Sequence, residues 1–157
     1  MAGNNKQTYK GKFRPKNPQK YKGDPNNIVY RSSWEAKVMN YFDQNPDIIS
    51  WASEELVIPY LSPIDNRWHR YFPDFTLRTK SGTFVVEVKP EKQSRPPQVK
   101  SRKTKQYIHE VMTWGVNQAK WKAAIDYCKD RQWKFIVMVS TDGIEFKYLS
   151  ENQLLLN

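Results

Sequence analysis

The sequence predicts an α/β fold in which helices flank a mixed β-sheet, with the core elements in the order α-β-β-β-α-β. Three observations predict it. Segments near 51–60, 67–79 and 83–89 are rich in β-branched and aromatic residues, which favour strands. A long segment after residue 103 repeats apolar residues at helical spacing. Finally, 134–140 holds a continuous apolar run, which is typical of a strand buried on both faces.

Composition divides the chain into two parts. Residues 1 to about 30 are polar and contain several glycines and prolines, so we expect a basic extended arm there instead of a packed element. A single domain should then occupy residues 31–157. The chain has 157 residues, of which 38% are apolar and 14% aromatic, and this is enough to build one core.

The first helix should begin near Ser33. Ser32 or Ser33 can cap it, and Trp34 and Val38 repeat at helical spacing before Asn45-Pro46 ends it. Periodicity and turn residues predict the later elements in the same way. We expect strands near 51–60 and 67–79 around a turn at 62–66, a third strand at 83–89, a basic loop at 90–103, a helix from there to about 131, a strand at 134–140, a turn at 141–143 and a last strand at 144–149.

Three charged residues in the predicted strands form a candidate site. Side chains alternate across a strand, so Glu87 and Lys89 share one face. If the hairpin brings Asp74 beside them, the cluster has two carboxylates and one ammonium, which can hold Mg²⁺ and orient a water against a phosphodiester. The alternative is that these residues are the solvated face of a hairpin, with an ordinary surface ion pair.

Two prolines favour the site over the solvated face. Pro73 has no N–H and is poorly tolerated inside a paired strand, so its place before Asp74 suggests a bend that re-aims the acid. Pro90 ends the next strand directly after Lys89, which leaves the charged pair at the end of that strand.

Pro73-Asp74, a spacer and Glu87-Val88-Lys89 together form the motif of the PD-(D/E)xK nucleases, and the chain resembles that superfamily. Its members include restriction enzymes, resolvases and transposon end-cleaving subunits. The resemblance implies a restriction-endonuclease-like core. Several further segments resemble the head completion nucleases of T-even-like tailed bacteriophages, and this likeness runs from the basic N-terminus through residue 92. These segments are Tyr30-Arg31-Ser32-Ser33-Trp34-Glu35, Trp51-Ala52-Ser53-Glu54-Glu55, Tyr60-Leu61-Ser62-Pro63-Ile64-Asp65-Asn66-Arg67 and Arg70-Tyr71-Phe72-Pro73-Asp74-Phe75.

The resemblance implies a metal-dependent deoxyribonuclease with Asp74 and Glu87 as metal ligands. The first-helix acid Glu35 would be an additional ligand or would anchor a water; its other reading is a charge that complements the helix N-terminus. Because all these ligands are hard oxygens, Mg²⁺ is expected and Mn²⁺ should substitute. Lys89 would orient or activate the attacking water and stabilise the transition state.

Gln118 on the long helix is a further candidate catalytic residue. It interrupts an apolar stripe, so its amide should be either satisfied in the core or directed at the site. Related nucleases often place a glutamine on this helix beside the metal, and many have a tyrosine four positions later. Here that position is Lys122, a departure from the pattern, and Lys120 is a weaker candidate than Gln118.

The net charge of +10 indicates a polyanionic partner, and nucleic acid is expected because one basic cluster directly follows Lys89. A solubilising charged tail is the alternative for the N-terminal cluster. The candidate DNA-binding residues are Lys10, Lys12, Arg14, Lys16, Lys20, Lys22, Arg31, Lys92, Arg95, Lys100, Arg102, Lys103 and Lys105.

The remaining expectations concern context. No apolar run suits a signal peptide or a membrane span, so we expect no membrane partner and a role in a cytoplasm. The resemblance implies that this is the host cytoplasm during assembly, with retention in the virion neck as a further expectation. The single Cys128 excludes an internal disulfide. From the resemblance, double-stranded DNA is the substrate, portal or neck proteins are partners, and the nuclease, cutting as an endonuclease or exonuclease, trims packaged DNA before heads and tails join. A non-catalytic DNA-binding protein of the virion neck and a transposon or repair endonuclease remain alternatives.

Overall fold

The computed structural model describes residues 10–141, 145–149 and 154. Within these residues the chain forms nine strands, two α-helices and two short 3₁₀ turns. The strands are β1 (Gly11–Phe13), β2 (Ile28–Tyr30), β3 (Ile48–Ser53), β4 (Ile58–Leu61), β5 (Trp68–Tyr71), β6 (Phe75–Thr79), β7 (Gly82–Pro90), β8 (Lys134–Thr141) and β9 (Glu145–Leu149). The helices are α1 (Ser33–Gln44) and α2 (Lys105–Asp130), and the 3₁₀ turns are Pro18–Lys20 and Glu91–Ser94.

The central sheet has five strands in the order β3-β6-β7-β8-β9. Strands β7 and β8 pair in parallel, and the other neighbours pair antiparallel, so the sheet is mixed. The parallel pair requires a crossover, which α2 provides. The core elements of the fold follow the order α1-β3-β6-β7-α2-β8. The predicted fold class is therefore confirmed.

Both helices lie where the sequence predicts them. Ser32 caps α1, since its hydroxyl oxygen accepts the backbone N–H of Glu35 at 3.1 Å. Thr104 caps α2 in the same way, accepting the N–H of Tyr107 at 3.1 Å. The predicted strands at 83–89 and 134–140 are also present, as β7 and β8. The predicted turn at 141–143 and the first residue of the predicted strand at 144–149 fall partly on residues 142–144, which lie outside the described residues.

The prediction of two continuous strands at 51–60 and 67–79 is wrong, because both segments are interrupted. Each is divided in two, so that β3 and β6 pair within the central sheet while β4 and β5 form a separate two-stranded hairpin. Glu54 takes a left-handed backbone conformation with φ of 53°, which turns the chain away after β3. Pro73 lacks an N–H and divides β5 from β6.

Apolar side chains pack on both faces of the central sheet. On one face Val86 and Met138 meet Phe42 of α1 and the buried Trp51 and Phe75. On the other face Val85, Val137 and Phe135 meet Trp121 and Ile125 of α2. The alternation along β7 therefore places Glu87 and Lys89 on the α2 face, as the sequence predicts for a shared face.

The prediction of an unpacked arm is wrong for residues 11–30. Strands β1 and β2 pair antiparallel, and Tyr21 and Ile28 are buried in the core on the α1 face. The ring of Tyr21 lies 4.7 Å from that of Trp51 in an edge-on contact. The composition of this segment is mostly polar, so it did not indicate burial. Two apolar side chains are nevertheless enough to pack the segment against the core. Residues 1–9 lie outside the described residues.

Within the described part of the chain, no helix has both the length and the apolar character needed to cross a membrane.

Candidate active site

The antiparallel pairing of β6 with β7 brings Asp74 next to β7. Phe75 pairs with Val86, so Asp74 lies one position beyond the last paired residue of β6. There the chain bends at Pro73, and the carboxylate reaches across to β7, where Oδ2 accepts the backbone N–H of Val88 at 2.8 Å. The backbone oxygen of Asp74 accepts the N–H of Glu54 at 3.1 Å, which fixes the bend from the other side.

Glu87 is a buried acid, with only 7% of its surface exposed. The hydroxyl of Tyr71 donates to its Oε1 at 2.8 Å, and the ammonium of Lys89 lies 3.5 Å from its Oε2. A fully solvated hairpin face would expose this carboxylate, so the solvated-face alternative does not describe Glu87. Acids are almost never buried without a partner, and here a neutral donor and a cation hold the two oxygens.

The electrostatics of Asp74 reflect a concentration of negative charge. Burial raises the pKa of Asp74 well above its usual range, and Glu87 and Glu35 raise it further. The hydrogen bond from Val88 and the charge of Lys89 act in the opposite direction, but they do not outweigh these causes. Asp74, Glu87, Glu35 and Lys89 are therefore close enough to interact.

Glu35 contacts the start of α1 and lies near Asp74 and Glu87. Its Oε1 accepts the backbone N–H of Arg31 at 3.1 Å, which supports the reading as a helix N-terminal acid. Burial is the main cause that raises its pKa, and Glu54 and Glu87 also contribute. Glu54 forms an ion pair with Arg31 beside it. The role of Glu35 as a metal ligand stays a prediction.

The donor set suits one mode of divalent-metal binding. Among the described residues, no three or more His, Cys, Asp or Glu side chains are grouped so that they could enclose an ion. Mg²⁺ does not need such enclosure, because it usually keeps several waters and is bound by one or two carboxylates together with substrate phosphates. Asp74 and Glu87 fit that mode, since they are buried hard-oxygen ligands whose repulsion a cation would relieve.

Two residues on α2 were candidates for the site, and the structure links one of them, Lys120, to the carboxylate pair. The side-chain nitrogen of Gln118 is buried and has no hydrogen-bond partner among the described residues, so the amide is not satisfied in the core. Lys120 lies between two tyrosines, with its ammonium 5.7 Å from the ring centre of Tyr60 and 5.6 Å from that of Tyr71. Burial lowers the pKa of Lys120, and so does Lys89, while Glu87 and Asp74 raise it. Lys120 is therefore a neighbour of the carboxylate pair.

Sequence reasoning missed Tyr71 as a site residue and ranked Lys120 below Gln118. Tyr71 stands inside the motif segment three positions before Asp74, and a buried phenol beside an acid was the available signal. No sequence signal could place Lys120, because its position depends on how the β4–β5 hairpin meets α2.

Most of the predicted DNA-binding residues are exposed. Lys20 differs, because its ammonium donates to the backbone oxygens of Asp43 and Asn45 at 3.0 and 2.8 Å, at the C-terminal end of α1. Lys20 is thus engaged within the fold. The exposed members are Lys10, Lys12, Arg14, Lys16, Lys22, Arg31, Lys92, Arg95, Lys100, Arg102, Lys103 and Lys105.

A cleft of about 730 Å³ lies between the segment after β7 and the first half of α2. Lys92, Arg95 and Lys100 line one side, and Trp114 and the buried Asn117 line the other. Lys92 pairs with Glu110 at 3.1 Å, an exposed contact of little net strength that a phosphate could replace.

Comparison with known proteins agrees with this geometry. The family described as TnsA-like endonuclease N terminal matches residues 45–140, a span that contains Asp74, Glu87 and Lys89. The head completion nuclease of Enterobacteria phage T4 is 42% identical over 151 residues, covering 93% of this chain and 93% of that protein. No solved structure matches the chain. The chain therefore belongs to the TnsA-like endonucleases of PD-(D/E)xK type, as its motif predicts.

Proposed function

We propose that this protein is a metal-dependent deoxyribonuclease that hydrolyses phosphodiester bonds during phage head completion. The observation that carries the proposal is the buried Glu87 with Asp74 and Lys89 beside it, in a chain that is 42% identical to a head completion nuclease. Nuclease families of this type typically use a divalent metal.

The residues of the site divide the work. Asp74 and Glu87 would hold Mg²⁺ or Mn²⁺, which when bound supplies positive charge to the phosphate oxygens in the transition state. The Val88 amide and the Tyr71 hydroxyl fix the two carboxylates in place, so little reorganisation is needed when substrate arrives. Lys89 would orient the attacking water, and Glu35 would complete the metal shell or position a second water.

Double-stranded DNA is the proposed substrate. The exposed basic residues of the β1–β2 region and of the segment after β7 would contact phosphates, which give affinity without sequence information. We therefore propose that cleavage is largely independent of base sequence and that the position of the cut is set by where the DNA is accessible to the site. Both endonucleolytic and exonucleolytic cutting are compatible with this site.

In the phage, the protein would act in the host cytoplasm on the DNA end that protrudes through the portal of a newly filled head. It would trim that end before the neck and tail attach, with portal or neck proteins as partners. The name and extent of the T4 relative support this context. The family match also favours a transposon-type endonuclease as a second candidate, but the phage relative covers far more of the chain.

A cleavage assay tests the proposal. Linear and circular duplex DNA are incubated with the protein in Mg²⁺, Mn²⁺ or EDTA, and Glu87→Gln is compared with Asp126→Asn, an exposed acid on α2. Cleavage should require the metal, survive in Asp126→Asn and fall by orders of magnitude in Glu87→Gln. Equal cleavage by Glu87→Gln and the unmodified protein would refute the assignment of the site to Glu87. No cleavage by the unmodified protein in either metal would refute the enzyme and favour a structural DNA-binding role.

A further inference from the structure

Lys120 occupies an aromatic cradle that the β4–β5 hairpin provides. Tyr60 is in β4 and Tyr71 is in β5, and both rings are almost fully buried. The ammonium of Lys120 lies within 6 Å of both ring centres, at 5.7 and 5.6 Å, the range in which the faces of aromatic rings attract a cation. The cradle holds the charge in place without neutralising it.

The cradle is continuous with the carboxylate pair. Tyr71 contacts the ammonium through its ring and donates its hydroxyl to Glu87, so one side chain connects Lys120 to the proposed metal ligand. Lys89 lies on the other oxygen of the same carboxylate. The pKa of Lys120 responds to Lys89, Glu87 and Asp74, after burial as the main cause.

Lys120 has no carboxylate of its own. None of the ion pairs in the described part of the chain includes it, although four other lysine and arginine side chains there are paired. Two half-buried ammonium groups near each other repel, and Glu87 and Asp74 offset this only in part, because the pKa of Lys120 is still lowered; a further anion would relieve the repulsion. A phosphodiester bound at the carboxylate pair would be that anion.

We propose that Lys120 is a second cationic catalytic residue, which binds a non-bridging oxygen of the scissile phosphate and stabilises the negative charge that develops there. The proposal rests on the nuclease function proposed above and adds a division of labour. Lys89 serves the attacking water, and Lys120 serves the phosphate. The inserted hairpin then has a defined role, because it supplies both rings of the cradle.

Charge variants provide the first test. Lys120→Met keeps the length of the side chain and removes the charge, Lys120→Arg keeps a cation, and Lys122→Met is the control, since Lys122 is exposed on the same helix. Loss of a transition-state donor should lower kcat of Lys120→Met by about 10²–10³-fold, with a much smaller change in KM. Arginine should restore part of that loss, and Lys122→Met should match the unmodified protein.

Chemical rescue provides the second test and distinguishes charge from structure. Lys120→Ala leaves the two tyrosine rings facing a space that n-propylammonium can fill as a detached lysine end. Added n-propylammonium should restore cleavage saturably, whereas tetramethylammonium, which has no N–H donor, should not. Thermal unfolding of each variant, measured by circular dichroism, reports whether the fold is intact.

The outcomes separate this proposal from the proposed function. If Glu87→Gln is inactive but Lys120→Met cleaves as well as the unmodified protein, the site is a nuclease and the role of Lys120 is refuted. If Lys120→Ala is inactive and folded, yet neither n-propylammonium nor arginine restores activity, the packing of the side chain matters and its charge does not. If the unmodified protein does not cleave DNA in Mg²⁺ or Mn²⁺, the nuclease function itself fails, and if Glu87→Gln retains full cleavage, the carboxylate site fails.

Discussion

The carboxyl group of Asp74 is buried beside Glu87 and near Glu35, so its negative charge opposes the stability of the metal-free fold. Catalytic groups are often placed where they lower the stability of the fold. The negative potential of the neighbouring carboxylates disfavours a further negative charge but favours a bound cation. The hydrogen bond from Val88 keeps the carboxyl in position in the meantime.

Asp74→Asn is therefore predicted to abolish cleavage and to stabilise the metal-free protein. Because burial raises the pKa of Asp74, its contribution to stability is complete below the pKa of the unfolded chain and is lost as the pH rises through the folded pKa. Asparagine stays neutral and can still accept the Val88 amide. Thermal unfolding in EDTA should show a higher midpoint for Asp74→Asn near neutral pH, by about 2–4 °C per kcal/mol gained. The difference should shrink in acidic buffer, and a constant difference would contradict the prediction.

For individual residues, the sequence predicted the placements that follow from side-chain alternation along a strand and from the PD-(D/E)xK motif. Glu87 and Lys89 had to share a face because they are two positions apart in a strand, and Pro73 marked the bend that carries Asp74 to β7. Tyr71 was overlooked although it stands inside the motif segment, and Lys120 could not be assigned, since it reaches the site from α2. Contacts between elements that are distant in the chain depend on packing angles, which local patterns do not specify.

Among the elements, the β4–β5 hairpin departs most from expectation. Strand propensity located its residues, but propensity does not tell which ladder a strand joins. The left-handed backbone of Glu54 separates β3 from β4, and Pro73 separates β5 from β6. Only the effect of Pro73 could be predicted from the sequence.

Tyr60→Leu tests the hairpin as a positioning element. Removing one ring of the cradle removes a cation–π contact with the Lys120 ammonium, which contributes about 0.5–2 kcal/mol. The value of kcat should fall by up to roughly tenfold for each 1.4 kcal/mol lost. Tyr60→Phe retains the aromatic face and is the matched control. Steady-state cleavage rates of the two variants should differ in that order, and equal rates would exclude a role for the ring.

The segment that contains β1 and β2 belongs to the core despite its basic composition, and Ile28→Ala tests this. Truncating a buried isoleucine should destabilise the fold by about 2–5 kcal/mol. The neighbouring Val29 points outward, and Val29→Ala should change the stability by less than about 0.5 kcal/mol. Urea unfolding of both variants gives the comparison; equal stabilities would restore the extended arm.

For the whole molecule, the charge of +10 is spread over exposed side chains at two places, the β1–β2 region and the segment after β7. Such charge attracts DNA through the release of counterions, and the strength of binding then depends steeply on salt. Composition predicted this property, but it could not distinguish Lys20, which caps α1, from its exposed neighbours.

Replacing Lys12, Arg14 and Lys22 by glutamine should lower DNA affinity and reduce the slope of log affinity against log salt by about 0.9 for each phosphate that the variant no longer neutralises. Lys129→Gln, which changes an exposed lysine at the end of α2, is the control for net charge. Binding titrations in EDTA at several salt concentrations measure both quantities. An unchanged slope in the triple variant would indicate that the β1–β2 region binds another kind of partner.

The parallel pairing of β7 with β8 has a consequence for when the enzyme becomes active. Strand β7 carries Glu87 and Lys89 in the middle of the sheet, but its second neighbour is synthesised only after the whole of α2. Contacts of such long sequence separation form late in folding. We therefore expect a chain whose translation has not yet reached β8 to be inactive, because β7 then lacks one of its two neighbours in the sheet.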